Sequence, residues 1–266
     1  MKRLQIGKFL SLAAAAIIML PATAFAQSVF DGSWKTDVTT IDHPAKPVVH
    51  VFKDGMYECK SCVPKLLLKF DGRDQKIEDS PYANTLAIKV NDKSHLEMIS
   101  KKGGKVVSSR KVAISKDTNS MMIEYADTWP NGQVVKGATS YARVAYDKTA
   151  PHLMSGSWKA IKEEHRTDNG LQVSYKVEGK SLSMSNPLGV SYQAVIGGAD
   201  APVAGDPGYE TVSVKISKNV LEESYKRGGK VVALNRVQVL PNGKEAKVDW
   251  INYISRLNGN HLMKKQ

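Results

Sequence analysis

Two cysteines carry the most specific chemistry in this sequence. Cys59-Lys60-Ser61-Cys62 separates two thiols by only two residues, which leaves their Cα atoms close enough for a bond. A structural zinc site would need a second cysteine pair or histidines at ligand spacing, and the sequence offers neither. The residue directly after Cys62 is a valine and not the histidine of a C-x-x-C-H motif, which excludes covalent haem attachment. The pair therefore predicts either a local disulfide that acts as a structural clip or an exposed, redox-active dithiol.

Catalytic signatures are missing from the rest of the sequence. It contains no G-x-S-x-G elbow and no H-E-x-x-H helix motif. Ser108-Ser109-Arg110-Lys111 matches S-x-x-K in spacing, but it lies in a predicted strand and lacks the partner motifs. The glycine-rich segment 197–208 lacks the Gly-Lys-Ser/Thr end of a phosphate-binding loop. We therefore expect a non-enzymatic protein with no catalytic residues, no metal ligands and no cofactor.

The elements that must position these side chains occur twice. Gly32-Ser33-Trp34-Lys35 recurs as Gly156-Ser157-Trp158-Lys159, and Gly-Gly-Lys-Val-Val at 103–107 recurs at 228–232. Several matches in the same order and at nearly constant spacing predict a tandem duplication. Trp34 should then superpose on Trp158, and Val112 on Val237. An offset of 124 would place Ser183 and Asn186 where the first copy has its cysteines.

The repeated Gly-Gly-Lys-Val-Val segment predicts a tight β-hairpin. Two glycines allow a positive φ at both turn positions, as a two-residue hairpin turn requires. The strand that follows alternates apolar and polar residues, which is typical of a strand with one buried face. The lysines beside the turn are either a solvated edge that discourages strand pairing or an anion-binding tip; solvation is the simpler interpretation.

The whole chain after the N-terminal segment has the pattern of an all-β protein. Turn signals such as Asp71-Gly72 and Asn91-Asp92 recur about every ten residues between short β-branched or aromatic runs. We predict two tandem antiparallel β-barrel-like repeats of about eight strands each, over residues 27–150 and 151–266. The short polar junction near residues 147–152 should leave the two repeats in contact.

Residues 1–26 have the features of a cleaved export signal. Lys2, Arg3 and Lys8 precede an apolar run, and Ala24-Phe25-Ala26 forms a cleavage site. No later segment is apolar enough to cross a membrane, so we expect a mature chain without a transmembrane segment in the periplasm or secreted. The formal net charge is +12, and its basic excess is shared evenly between the copies. Such a diffuse field does not indicate nucleic-acid binding; it suits solubility or an anionic envelope surface.

The two Gly-Ser-Trp openings and an arginine near the end of each copy resemble the lipocalin and fatty-acid-binding barrels. In that family a Gly-x-Trp on the first strand is covered by an arginine from the last, which closes the base of the barrel. The resemblance implies that Arg143 covers Trp34 and that Arg256 covers Trp158. An arginine that stacks on an indole face would shield it from water.

The chain is also similar to a group of exported bacterial proteins of unassigned function. The likeness rests on Tyr57-Glu58-Cys59, the Cys62-Val63-Pro64 that follows, the Gly-Ser-Trp openings and the Gly-Gly-Lys-Val-Val hairpins. The barrel resemblance favours a binding module for a small apolar or amphipathic ligand. The alternatives are an envelope redox or stress protein that acts through Cys59 and Cys62, and an envelope protein-interaction module.

Overall fold

The structure, a computed structural model, describes residues 28–266; the export signal predicted over residues 1–26 lies outside them. The described residues are all-β, as predicted, with two short 3-10 turns at Val38–Thr40 and Asp168–Gly170. Two antiparallel ten-stranded sheets each curl into a nearly closed barrel. Within residues 28–266, no helix has the length and apolar character needed to span a membrane.

The first sheet, barrel 1, consists of β2 (Val48–Lys53), β3 (Met56–Cys59), β4 (Leu66–Lys69), β5 (Gln75–Lys76), β6 (Thr85–Val90), β7 (His95–Lys102), β8 (Lys105–Ile114), β9 (Ser120–Thr128), β10 (Val134–Tyr146) and β11 (Gly156–Arg166). The second sheet, barrel 2, consists of β1 (Gly32–Thr36), β12 (Gln172–Glu178), β13 (Ser181–Ser185), β14 (Ser191–Val195), β15 (Ala201–Pro202), β16 (Thr211–Ser217), β17 (Val220–Arg227), β18 (Lys230–Val239), β19 (Glu245–Asn252) and β20 (Leu257–Lys265). Each barrel has ten strands and not eight, because strands as short as β5 and β15 carry no alternating pattern that a sequence could reveal.

The two copies exchange their first strands. β1 lies between β12 and β20 of barrel 2, and β11 lies between β10 and β2 of barrel 1. We expected each copy to build its barrel from its own strands, with a division near residue 150. Instead, barrel 1 is formed by one continuous stretch, residues 48–166, and barrel 2 needs a strand from the beginning of the described chain.

The segment between β1 and β2 is held against barrel 2 before it enters barrel 1. The backbone N–H of Asp37 donates to the carbonyl of Leu262 at 2.9 Å, and that of Asp42 donates to the carbonyl of Asn260 at 2.8 Å. Lys264 Nζ lies 2.8 Å from the Asp37 carboxylate. These contacts fix β1 at the edge of β20 and so stabilise the exchange.

The strand register confirms the duplication and corrects its alignment near the cysteines. Val112 faces Leu96 and Val237 faces Leu221 across the same hairpin, so these valines are equivalent as predicted. Both hairpins turn through two glycines with positive φ, 57° and 79° at Gly103 and Gly104.

Near the cysteines the offset is 125 and not 124. His50 pairs with Gly156 and Cys59, whereas Tyr175 pairs with Gly32 and Met184. Met184 therefore occupies the place of Cys59, and the expectation for Ser183 is wrong. A one-residue slip moves a side chain to the opposite face of a strand, so Ser183 cannot stand in for a buried cysteine.

Candidate functional site

Each tryptophan is buried in the core of one barrel and lies near a cationic side chain, but not the expected one. Trp34 and Trp158 are buried, and each indole N–H donates at 2.8 Å to the carbonyl four residues earlier, of Phe30 and Met154 respectively. The guanidinium of Arg143 lies 4.0 Å from the ring centroid of Trp158, and Lys265 Nζ lies 5.4 Å from that of Trp34.

The expected pairs, Arg143 with Trp34 and Arg256 with Trp158, are therefore wrong. The strand exchange is the cause, since β10 pairs with β11 and places Arg143 directly opposite Trp158. Lys265 stands opposite Trp34 in the same way, and Arg256 lies in the turn before β20 with a φ of 57°. Sequence reasoning missed Lys265, because the similarity of the two copies fades along the last strand.

Cys59 and Cys62 form a disulfide in the wall of barrel 1. The sulfur atoms lie 1.97 Å apart, and Cys59 is completely buried in the barrel 1 core. The loop between them is held on β2, since Lys60 N–H donates to the carbonyl of Val49 at 3.1 Å and Val49 N–H donates to Ser61 Oγ at 2.9 Å. One sulfur is therefore shielded from solvent, and the loop is ordered by its neighbours.

The mouth of barrel 1 opens into a cavity of about 860 Å³, here called the barrel 1 cleft. Its walls come from the β7–β8 hairpin, the loop before β6, and the β9–β10 turn, with one residue of copy two at the rim. Its apolar lining residues include Ile77, Ala83, Val106, Val107, Trp129, Pro130 and Pro207. Val106 is 50 % exposed, although it is an aliphatic side chain that would gain from cover.

The polar groups of the barrel 1 cleft are mainly basic. Lys102 and Lys105 stand at its rim, and Arg110 points into it from β8. Arg110 holds Asp127 through two hydrogen bonds of 2.7 and 3.0 Å. Lys102 Nζ donates to the carbonyl of Pro81. Among the described residues, neither Lys102 nor Lys105 forms a salt bridge with a carboxylate.

A second network lies deeper in barrel 1 around Glu163. This carboxylate is 3 % exposed and accepts hydrogen bonds from the hydroxyls of Tyr125 and Thr139 and from Arg166 Nε at 3.2 Å. Burial raises the pKa of Tyr125 to about 12, and its hydrogen bond to Glu163 adds to the effect. The positive charge of Arg166 lies beside the Glu163 carboxylate, and the hydrogen bonds of this cluster link strands β9, β10 and β11.

Barrel 2 contains a smaller cavity of about 430 Å³, here called the barrel 2 cavity. Glu223 on β17 reaches across the lumen and accepts from the hydroxyls of Tyr192 on β14 at 2.5 Å, Tyr225 at 3.0 Å and Tyr175 on β12 at 3.3 Å. Glu223 is 1 % exposed. Burial raises its pKa, while hydrogen bonds from these phenols and from Asn235 oppose the shift.

The Glu223 cluster belongs to copy two alone. The register places Met98 of barrel 1 at the position of Glu223, Ser100 at that of Tyr225, and His50 at that of Tyr175. Sequence reasoning missed Glu223, although the alternation Leu221, Glu223, Tyr225 along one strand was the available signal. An acidic residue in phase with buried apolar neighbours predicts an inward-facing carboxyl group.

Comparison with known proteins adds no relative. A scan of protein-family models found no match to this chain, and a search of curated proteins found none. Function must therefore be argued from the two cavities themselves.

Proposed function

We propose that this is an exported, non-enzymatic binding protein whose barrel 1 cleft takes a small amphipathic molecule with an anionic head group. The observation that carries the proposal is the cleft itself, about 860 Å³ with apolar walls and a basic rim. Ligand cavities in proteins commonly span about 300–1,000 Å³ and combine apolar walls with a few polar groups. The cleft has both features.

The apolar walls supply the binding free energy for the tail of the ligand. Val106 and Trp129 line the cleft, and the exposed surface of Val106 would be covered by a bound hydrocarbon. Burial of apolar surface is worth about 25 cal/mol per Å². Burial of a short alkyl chain along this wall would therefore contribute several kilocalories per mole of binding free energy. Micromolar affinity requires about 8 kcal/mol in total.

The charges select the head group. Lys102 and Lys105 add positive potential at the rim, and Arg110 is already paired with Asp127. A carboxylate or phosphate head group can approach the two lysines, whereas a cationic head group meets repulsion there. Because Arg110 and Asp127 form a salt bridge with each other, this part of the cleft is better suited to binding a ligand than to transferring a proton.

The place of action follows from the N-terminal segment. The signal-like residues 1–26 support export to the periplasm or beyond, and the basic surface supports contact with an anionic envelope. A carrier or sensor of amphipathic molecules in the envelope fits both features.

The redox alternative rests on the Cys59–Cys62 disulfide. Complete burial of Cys59 and the fixed loop around Ser61 favour a structural clip, because thiol exchange needs access to sulfur. A protein-interaction role would leave the cleft without a small-molecule ligand. The experiments below therefore also test the redox role and the protein-interaction role.

The decisive measurement is a calorimetric titration of delipidated residues 27–266 with dodecanoate and with dodecyltrimethylammonium, two probes with the same tail and opposite charges. We expect dodecanoate to bind at least about tenfold more tightly. Equal affinities, or no binding of either probe, would contradict the proposal. Free thiols appearing readily in glutathione buffer would favour the redox alternative instead.

The duplication provides matched variants for the same titration. Val106→Asp and Lys105→Gln alter the cleft, and Val231→Asp and Lys230→Gln make identical changes at the equivalent hairpin of barrel 2. We expect about tenfold weaker dodecanoate binding for Val106→Asp, about threefold weaker for Lys105→Gln, and no change for either control. Equal effects in both hairpins would indicate nonspecific adsorption.

A further inference from the structure

A second site, unlike the first, lies in the lumen of barrel 2. We propose that the barrel 2 cavity binds a small organic cation, an alkylammonium or quaternary ammonium group, between aromatic walls and the carboxylate of Glu223. This goes beyond the proposed function, because it concerns another barrel and another chemistry, although Trp129 lines both the barrel 2 cavity and the barrel 1 cleft.

Five tyrosine and tryptophan side chains are among the residues that line the barrel 2 cavity. Tyr175, Tyr209, Tyr225, Trp129 and Trp250 line it, and the rings of Tyr209 and Tyr225 lie 4.6 Å apart. Trp129 arrives from the β9–β10 turn of barrel 1 and packs against the barrel 2 core. Ring faces carry negative electrostatic potential, and several of them around one space form a favourable environment for a cation without a strong hydration shell.

The charged residues that line the barrel 2 cavity also favour a cationic ligand. Among the described residues that line the cavity are two carboxylates, Glu223 and Asp206, and no lysine or arginine. The remaining basic group is His261, whose pKa is lowered to about 4 by burial, so it is neutral near pH 7. In a chain of net charge +12, this lumen is locally acidic.

Glu223 lacks the cationic partner that the buried glutamate of barrel 1, Glu163, has, although the two residues are not equivalent in the repeat. Glu163 is buried with a guanidinium at 3.2 Å, whereas Glu223 has three phenol groups and an amide around it. An ionised carboxylate with no cation beside it is costly to bury. A ligand cation in the cavity would supply the missing charge, and the phenols would keep the carboxylate oriented toward it.

Cation binding at this site should depend on pH through Glu223. The groups that face it are Tyr175 from β12, Tyr192 from β14, Tyr225 on β17 itself, Asn235 from β18, and Tyr209 from the loop before β16. All four tyrosines have raised pKa values and stay protonated below pH 9, so Glu223 is the member that titrates. A cation prefers the ionised carboxylate, and its affinity should therefore rise with pH.

The test compares cations with uncharged molecules of the same shape. Residues 27–266 are titrated calorimetrically with three cations, tetramethylammonium, choline and butylammonium. Each cation is compared with an uncharged alcohol of similar shape; for choline this is 3,3-dimethyl-1-butanol, in which carbon replaces the nitrogen. We expect at least one cation to bind about tenfold more tightly than its neutral analogue. If no cation exceeds its analogue at concentrations up to about 10 mM, the proposal is overturned; this comparison needs no variant.

Two variants locate the site. Glu223→Gln keeps the shape and removes the charge, and we expect about tenfold weaker cation binding with unchanged binding of the alcohol. Glu163→Gln makes the same change in barrel 1 and should leave cation binding unaltered. Equal losses in both variants, or unaltered binding in a folded Glu223→Gln protein, would overturn the assignment. If Glu223→Gln does not fold, Trp250→Leu replaces it, with the same expected loss, because Trp250 lines the barrel 2 cavity and not the barrel 1 cleft.

Discussion

The guanidinium of Arg143 lies 4.0 Å over the indole of Trp158, although the two residues belong to different copies of the repeat. It also donates to the carbonyls of Leu153 at 2.7 Å and Ser155 at 3.0 Å, just before β11. One side chain at the end of copy one thus fastens the first strand of copy two. The contact stabilises β11 in its place beside β10 in barrel 1.

Replacement of Arg143 should weaken barrel 1 considerably. Arg143→Ala removes the stacking and leaves buried carbonyls without their donor, which predicts a loss of about 2–4 kcal/mol in the free energy of unfolding. Lys265→Ala, which removes the more distant cation over Trp34, should cost less than about 1 kcal/mol. Urea denaturation followed by tryptophan fluorescence measures both. Equal losses would show that Arg143 has no special role.

The strand exchange predicts which fragments fold. Residues 48–166 contain every strand of barrel 1, whereas residues 48–150 lack β11 and expose the edges of β2 and β10. We expect the longer fragment to unfold cooperatively and the shorter one to be unfolded or aggregated, since a missing strand leaves unpaired backbone groups. If residues 28–150 instead form the more stable unit, as an unexchanged repeat would require, the exchange is wrong.

The all-β class and the duplication were predictable from the sequence, because alternation and diglycine turns are local signals. The exchange was not, since β1 and β11 share the letters Gly-Ser-Trp-Lys and either strand could complete either barrel. Alternation of apolar and polar residues shows which face of a strand is buried, but not which neighbouring strand it pairs with. The pairing is accompanied by contacts such as that of Arg143 with Ser155, and the sequence does not show which copy of the motif an arginine will contact.

The candidate sites were less predictable than the fold. Glu223 could be placed in the lumen from its phase with Leu221, but its partners Tyr175 and Tyr192 come from strands that are 48 and 31 residues away in the sequence. The barrel 1 cleft joins residues that are separated by more than a hundred positions, such as Tyr82 and Pro207. Such sites depend on closure of the sheets, which sequence periodicity does not specify.

Opening the Cys59–Cys62 disulfide should cost little stability, and substitution of Cys59 should cost more. The closed loop is short, so reduction should remove at most about 2 kcal/mol. Cys59 is completely buried, however, and Cys59→Ser would place a polar hydroxyl among the apolar side chains of the barrel 1 core. We expect a small fall in melting temperature on reduction, a similar fall for Cys59→Ala with Cys62→Ala, and a larger one for Cys59→Ser with Cys62→Ser. A chain that unfolds on reduction alone would show that the bond is essential.

Acid should destabilise barrel 1 through His50. This side chain is buried, with Nδ1 at 2.9 Å from the hydroxyl of Tyr57, and burial lowers its pKa to about 4 from an ordinary value of 6.5. Between those two values the unfolded chain binds a proton that the folded chain does not. The stabilisation is therefore complete above about pH 6.5 and decreases as the pH falls toward 4, by on the order of 3 kcal/mol for this group.

The measurement is the free energy of unfolding of residues 27–266 from pH 7.5 to 4. His50→Gln removes the titrating group, so its stability should vary less across this window, even if its packing makes it less stable at pH 7. His165→Gln, at an exposed position, is the matched control and should keep the slope of the parent chain. Burial also lowers the pKa values of His43, His152 and the half-buried His261, so these three side chains contribute to the slope that remains in His50→Gln. A parent slope that His50→Gln leaves unchanged would show that the acid sensitivity arises elsewhere.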